Sequence, residues 1–146
     1  MWWFFLIQPF PLPEHMIGLD PEFFLHQIFS HLNKTPGAIS PDEMNEYART
    51  FSNAATIHAS CEDFRAAAEI DLEMDKTDEE AGRRIACLLH ALWGGKGTLG
   101  YLWDVLATWR ERCAGSVTGR ALDCGHFLQE EDPQGLLTEL FQFLSS

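Results

Sequence analysis

The stretch Ala121-Leu122-Asp123-Cys124-Gly125-His126-Phe127 decides how the second half of the chain is interpreted. Val117–Leu122 is typical of a short strand, and Asp132-Pro133 begins a last helix, because an N-cap residue type precedes proline at the first helical position. Gly125 and His126 are therefore predicted on a strand-to-helix loop. Such loops lie where open α/β sheets carry their active sites, so His126 is a candidate for proton transfer. An ordinary surface histidine is the alternative.

Upstream of this loop the pattern is strand, turn and helix. Residues 85–93 form a continuous apolar run that predicts a strand buried on both faces, residues 94–100 a glycine-rich turn, and residues 101–113 a helix. Together with the later strand and the helix Pro133–Leu144, this order predicts a right-handed parallel β-α-β-α unit, whose sheet needs further strands. Helical spacing predicts two buried faces: Leu102, Leu106 and Trp109 on the first helix, and Leu136, Leu137, Leu140, Phe141 and Leu144 on the second.

The first 84 residues carry only helix signals. Prolines at alternate positions predict an irregular, extended connection over residues 8–14. Capping residues predict helix starts at Asp20-Pro21, Ser40-Pro41, Asn53 and Thr77-Asp78, the last one opening a short helix to Arg84.

Composition excludes several classes of partner. The chain has 146 residues, is 46% apolar and carries a net charge of -12, so it lacks the basic surface that a nucleic acid or an anionic membrane requires. We therefore expect no nucleic-acid or membrane partner. The chain has four cysteines: Cys61, Cys87, Cys113 and Cys124. They form no CxxC pair, which indicates reduced thiols and a cytoplasmic protein. His58 with Cys61, and Cys124 with His126, give only a weak zinc signal, and we expect no metal or cofactor.

A glycine pattern offers a different function. Gly95-Lys96-Gly97-Thr98-Leu99-Gly100 matches G-x-G-x-x-G between a predicted strand and a predicted helix, and Asp123 ends the next strand, where a ribose-binding acid is expected. A dinucleotide-binding module using Gly95, Gly97 and Gly100 is therefore one hypothesis. A tight strand-to-helix turn explains the same glycines and is favoured, because a single strand-helix-strand unit is too small to hold such a cofactor.

Several longer motifs resemble the haloacetate (fluoroacetate) dehalogenases of the α/β-hydrolase superfamily. The resemblance runs in order over essentially the whole chain. It implies an α/β fold that is the C-terminal part of an α/β hydrolase: a helical cap over residues 1–80, incomplete at its start, and a β-α-β-α part of the parallel core over residues 81–146. The motifs are WFFLIQPFPLPE (residues 3–14), IGLDPEF (17–23), HASCEDFRAAA (58–68), LWG (92–94) and CGHFL (124–128).

The resemblance also implies a chemistry. An aspartate displaces the halide of a small 2-haloacid and forms an ester, and a histidine activates the water that hydrolyses it. His126 matches that histidine, and Trp3 matches a tryptophan that binds the leaving halide. The nucleophile, the orienting acid and the substrate-binding arginines lie upstream in that family, so they are not carried over. Trp2 and Phe64 stand where that family has a halide-binding His and Tyr, and Leu88 replaces a proline.

The resemblance therefore implies a hydrolase whose complete form acts on a small haloacid or ester, and which needs a missing N-terminal half or a homodimer partner. By itself the chain is expected to be a truncated fragment without activity, because it holds one member of the triad. A non-catalytic interaction fragment is a further alternative. Trp2 and Arg65 are interpreted as cap packing and a cap surface charge, and the other five histidines as ordinary core or surface residues.

Overall fold

The computed structural model describes residues 3–145, so Trp2 lies outside the described residues. Helices come first, and a strand-helix-strand-helix order follows, which confirms the predicted fold class. The elements are α1 (Trp3–Leu6), α2 (Leu12–Leu19), α3 (Pro21–Leu32), α4 (Pro41–Phe51), α5 (Ala54–Ala68), α6 (Ile70–Glu80), β1 (Leu89–Gly94), α7 (Leu99–Leu102), α8 (Val105–Arg112), β2 (Val117–Leu122), α9 (Leu128–Glu131) and α10 (Pro133–Leu144). None of the helices within residues 3–145 combines the length and the apolarity needed to cross a bilayer.

The chain divides into two compact units. The first contains the chain up to Ile28 together with Pro41–Arg83, and the second contains Phe29–Ser40 together with the chain from Arg84 onward. The first unit is helical, and the second contains both strands.

The core of the first unit is built around α5. Ile57 and Cys61 of this helix pack with Leu6 and Ile17, and all four are almost completely buried. Asn53 caps α5 as predicted, because its side chain accepts a hydrogen bond of 2.8 Å from the Ala55 N–H. Half-buried aromatic rings complete the cluster: Phe5, Phe24, Phe51 and Phe64.

Two predictions for the first unit are wrong. Residues 8–14 are not extended throughout, because α2 already begins at Leu12, and Pro13 occupies its first turn, where a missing N–H costs no hydrogen bond. Thr77 does not begin a helix. It lies within α6, where its hydroxyl donates to the Glu73 carbonyl at 2.8 Å, and the helix ends before Gly82, which has a φ of 65°.

Arg65 is not the surface charge that the sequence indicated. Its side chain is only 14% exposed, and its guanidinium donates to both carboxylate oxygens of Glu14, at 2.8 and 3.1 Å. It also donates to the Gln8 carbonyl at 2.9 Å and contacts Glu62. Arg65 therefore ties α5 both to α2 and to the connection before it. Its hydrogen bonds lower the pKa of Glu14 from 4.5 to about 2, against the opposing effect of burial.

The second unit holds a two-stranded parallel sheet. Leu89 pairs with Val117 and Gly94 with Leu122, so β2 matches its prediction and the parallel arrangement is confirmed. β1 begins four residues later than predicted, because Ile85 forms only an isolated parallel bridge with Cys113. In β1 only Ala91 and Gly94 are buried, so the strand is not covered on both faces.

The helices of the second unit also differ from prediction. The single helix expected over residues 101–113 is divided into α7 and α8, because Asp104 caps α8 by accepting a 3.0 Å hydrogen bond from the Ala107 N–H. Leu106 and Leu136 are half-buried as part of the predicted faces. The remaining predicted core residues are exposed, since the two strands offer too little sheet to cover them: Leu102, Trp109, Leu137, Leu140, Phe141 and Leu144.

A polar network instead fastens α10 to the sheet. Glu139 accepts a 2.6 Å hydrogen bond from Arg120 of β2, and its other oxygen lies 3.1 Å from Nε2 of His90 in β1. The His90 ring also contacts the Thr118 hydroxyl at 2.8 Å and stacks on Phe143, with 5.2 Å between ring centroids. This network accounts for a histidine to which the sequence assigned no role.

We expect Gly94→Ala to destabilise the second unit by about 3 kcal/mol, because the added Cβ would lie 1.6 Å from the Gly125 carbonyl oxygen, a backbone atom that cannot rotate away. The control is Gly115→Ala, where the nearest atom is 3.6 Å away and we expect little change. Urea unfolding of both variants measures the difference. Equal midpoints for the two variants would contradict this packing.

We expect the Glu14–Arg65 pair to make the first unit sensitive to acid. The pKa of Glu14 is lowered by folding, so its contribution is complete above pH 4.5 and is lost as the pH falls towards 2. Glu14→Gln should cost about 3 kcal/mol at most near pH 7, and less than half of that at pH 3. Urea unfolding at both pH values tests this, with the exposed Glu73→Gln as control. A cost that does not change with pH would refute it.

Candidate functional site

His126 lies where the sequence placed it, on the loop between β2 and α9. β2 ends at Leu122, and α9 begins at Leu128. The His126 side chain is exposed, and its ring stands edge-on to that of Phe127 with 5.3 Å between centroids. The imidazole is therefore held at the carboxyl end of a parallel strand with access to solvent, as a proton acceptor requires.

The backbone of this loop is fixed by a buried carboxylate that the sequence analysis missed. Glu131 is only 8% exposed, and its Oε2 accepts hydrogen bonds from the N–H of Gly125 at 2.7 Å and of Lys34 at 2.9 Å. Its Oε1 accepts from the Phe127 N–H at 3.0 Å. We refer to Glu131 and these three amides as the carboxylate clamp. An acidic residue in the first turn of a short helix was the available signal.

The hydrogen bonds around Glu131 favour its ionised form. Burial by itself raises the pKa of the carboxyl, but the backbone donors of Lys34, Phe127 and Gly125, with a contribution from Thr35, lower it below the ordinary value. An ionised carboxylate is acceptor-only, so it can satisfy several N–H groups at once. The clamp is therefore held by charge-assisted hydrogen bonds.

Other parts of the backbone lie very close to the loop that carries His126. The His126 N–H donates to the Leu32 carbonyl at 3.2 Å. A Cβ on Gly125 would lie 2.6 Å from that same oxygen, and a Cβ on Gly94 would lie 1.6 Å from the Gly125 carbonyl oxygen. Glycine is therefore required at both positions, because the end of β1 and the last residue of α3 both touch the loop that carries His126.

The glycine pattern at residues 95–100 is used for packing. Gly95 and Lys96 donate their N–H groups to the carbonyls of Leu122 and Cys124, at 2.7 and 2.9 Å. The Lys96 ammonium lies 3.2 Å from the Asp123 carboxylate, so the acid expected to bind a ribose is paired with a lysine. The helix that follows, α7, has only four residues. These contacts support the tight-turn interpretation over a dinucleotide site.

Trp3 and Phe64, which the resemblance matches to a halide pocket, lie in the first unit. Trp3 is in α1 with its side chain 56% exposed, and Phe64 is a half-buried residue of α5, against which α1 packs. Leu88 is exposed immediately before β1. The halide-binding role of Trp3 therefore stays a prediction.

The weak zinc pairs are not brought together as ligand sets within the described part of the chain. Glu14, His58 and Glu62 place their ligand atoms within 4.8 Å of one another, but the Arg65 guanidinium already binds both carboxylates. Cys61 next to this group is fully buried, and burial raises the pKa of its thiol. Cys124 is buried as well, with its pKa raised in the same way. All four cysteines are free.

Comparison with curated proteins gives a dehalogenase and an epoxide hydrolase among the relatives. The chain is 33% identical over 144 residues to a fluoroacetate dehalogenase from Burkholderia sp, which covers 98% of this chain and 46% of the relative. It is 28% identical to a soluble epoxide hydrolase from Corynebacterium sp., over 89% of this chain and 44% of that protein. The chain thus spans about half the length of the curated relatives it matches. No family model matches it.

Solved structures share the fold over nearly the whole chain. A proposed acyltransferase from Salmonella enterica superimposes with a TM-score of 0.94 at 52% identity, covering 99% of this chain and 47% of the other. A proposed α/β hydrolase from Nostoc sp gives a TM-score of 0.92 at 49% identity, covering 98% and 48%. The chain therefore belongs to the α/β-hydrolase superfamily, and its fold is that of the C-terminal part of such a hydrolase.

Proposed function

We propose that this chain supplies the cap and the histidine-bearing part of a hydrolase that acts on small haloacids through an aspartyl ester. The observation that carries the proposal is His126 on a strand-end loop, within a chain that aligns over 98% of its length with a fluoroacetate dehalogenase. In this account residues 1–80 are the cap, and residues 81–146 are the C-terminal part of the core. A cytoplasmic location, inferred from the reduced cysteines, stays a prediction.

In the proposed reaction His126 serves the second step. A carboxylate supplied by the rest of the enzyme attacks the halogen-bearing carbon, the carbon-halogen bond breaks with its electron pair leaving on the halide, and an ester forms. Water then gives a proton to the imidazole of His126 as its oxygen attacks the ester carbonyl, which releases the hydroxy acid and regenerates the carboxylate. An imidazole is suited to this role because it accepts protons near neutral pH.

Epoxide hydrolysis is the second candidate, and the match to a soluble epoxide hydrolase favours it. Opening of an epoxide by a carboxylate also leaves an ester, and the same water step would regenerate the enzyme. His126 would have one role in both reactions. The leaving group distinguishes them, since a halide departs from a haloacid whereas an alkoxide stays attached after an epoxide opens.

We also propose that the complete site requires a partner for the second unit, either an N-terminal half of the fold or a second copy of the chain. The sheet formed by the described residues has two strands, and each leaves one edge unpaired. Apolar side chains of α8 and α10 are exposed beside it, among them Trp109, Phe141 and Leu144. Additional parallel strands would satisfy the edge and cover these side chains.

We predict that His126→Asn spares halide release and stalls ester hydrolysis. The test uses a chimera in which this chain replaces the aligned 46% of the Burkholderia dehalogenase. Mixed with chloroacetate, the variant should release about one halide per active site and gain the mass of the esterified acid, because only the water step needs a base. The control is His31→Asn, which alters an exposed histidine on α3.

Two results would contradict this role. Normal turnover by the His126→Asn chimera would show that another group activates water. Failure to release even the first halide, while the His31→Asn control turns over, would place His126 in the first step or in substrate binding. The same chain without the added half should release no halide from chloroacetate.

We predict that the altered halide pocket disfavours fluoride. In the chimera, Trp2→His combined with Phe64→Tyr should raise fluoroacetate turnover more than chloroacetate turnover, since fluoride needs stronger hydrogen bonds as charge develops on it. Phe24→Tyr is the control, because Phe24 packs on the same core cluster as Phe64. An equal effect on the two substrates would mean that these positions do not contact the halide, and Trp3 would lose its proposed role with them.

A further inference from the structure

Glu131 is a buried charged residue that the proposed reaction does not use. Within the part of the chain that the structure describes, it is the charged side chain with the lowest exposure. A buried carboxylate is costly unless hydrogen bonds compensate for its lost hydration. Here the compensation comes from three main-chain donors together with the Thr35 side chain, and two of the three main-chain donors belong to the residues on either side of His126. The position of the carboxylate and the position of His126 are therefore linked.

The link acts on the peptide units around His126. The N–H groups of Gly125 and Phe127 both point to Glu131, and the N–H of His126 itself points to the Leu32 carbonyl. Three consecutive amides are thus fixed by partners outside the loop. Because the His126 side chain is exposed, the direction of its Cα–Cβ bond is set by this backbone and not by burial of the ring.

The same carboxylate also connects the His126 loop to a segment much earlier in the chain. Oε2 of Glu131 also accepts from the Lys34 N–H, in the segment that follows α3. Phe29 of α3 stacks on Phe127, with 4.5 Å between ring centroids and an interplanar angle of 10°. The carboxylate therefore joins the His126 loop to a segment 97 residues earlier in the chain, and the aromatic stack supports the same contact.

We propose that Glu131 is the positioning residue for His126, holding the loop so that the imidazole stays in its working orientation. The inference rests on the proposed function of His126 and extends it to a residue that touches neither substrate nor the imidazole. Only a carboxylate fits, because both of its oxygens receive N–H donors. A glutamine in its place would offer one acceptor oxygen and turn an NH2 group towards another donor.

The first experiment measures the clamp directly in this chain. Amide hydrogen exchange is followed by NMR in Glu131→Gln and Glu131→Asp, with the exposed Glu111→Gln as a control for the loss of one charge. Glu131→Gln should speed exchange at Gly125, Phe127 and Lys34 at least tenfold, while the Ala114 amide, bonded to the Ile85 carbonyl, stays unchanged. Unchanged exchange at the three clamp amides would overturn the proposal.

The second experiment separates positioning from simple stability. In the dehalogenase chimera, Glu131→Gln should keep the first halide burst, slow ester hydrolysis and lower kcat at least tenfold. KM should fall with kcat, because only the step after ester formation is slowed. Glu131→Asp should restore part of kcat, because it keeps the charge. Equal slowing of halide release and of ester hydrolysis would show that Glu131 has only a structural role. A loss of activity that appears only on heating and is reversed on cooling would show the same.

The two proposals fail in different ways. If His126→Asn turns over normally, the proposed function fails whatever Glu131 does. If His126→Asn stalls at the ester while Glu131→Gln hydrolyses it at the normal rate, the function stands and the positioning role is wrong. If a Glu131 chimera does not fold, amide exchange in the 146-residue chain tests the positioning role of Glu131 without the chimera.

Discussion

The acceptance of three main-chain N–H groups by one buried carboxylate is the interaction on which the candidate site depends. Loops without secondary structure need partners for their polar groups, and here a single side chain provides them on both sides of His126. The charge makes these hydrogen bonds stronger than neutral ones, which offsets the cost of burying Glu131. The loop can therefore present an exposed imidazole without leaving its own backbone free to move.

The glycines serve the same arrangement. Gly94 ends β1 against the Gly125 carbonyl, and Gly125 in turn lies against both Glu131 and the Leu32 carbonyl. A methyl group at either position would separate the strand end from the loop. The pattern at residues 95–100 is thus explained by the approach of two strand-end loops, and its lysine is used to pair with Asp123. These contacts explain the glycines and Lys96 without a bound nucleotide. They therefore support the hydrolase interpretation over the dinucleotide site.

Local signals in the sequence predicted most of the elements. Capping residues marked α3, α4, α5 and α10, and the strand at Val117–Leu122 was bounded correctly, because caps and short apolar runs act over a few residues. Signals that depend on distant partners failed. Thr77 looked like a cap because the helix before it was not recognised, and Arg65 looked exposed because Glu14 lies 51 residues away. Glu131 was missed because its burial also depends on the Lys34 amide, 97 residues away. The apolar faces of α8 and α10 were predicted to be buried, but the two strands cover only part of them.

The most direct test of this account is a pH titration of the amide resonances of Gly125, Phe127 and Lys34 by NMR. A carboxylate that binds all three must change their shifts together when it is protonated. We predict one common midpoint below the ordinary carboxyl value of 4.5, and we expect this midpoint to be absent in Glu131→Gln. Separate midpoints for the three amides, or a common midpoint that persists in that variant, would show that Glu131 does not hold the loop of His126.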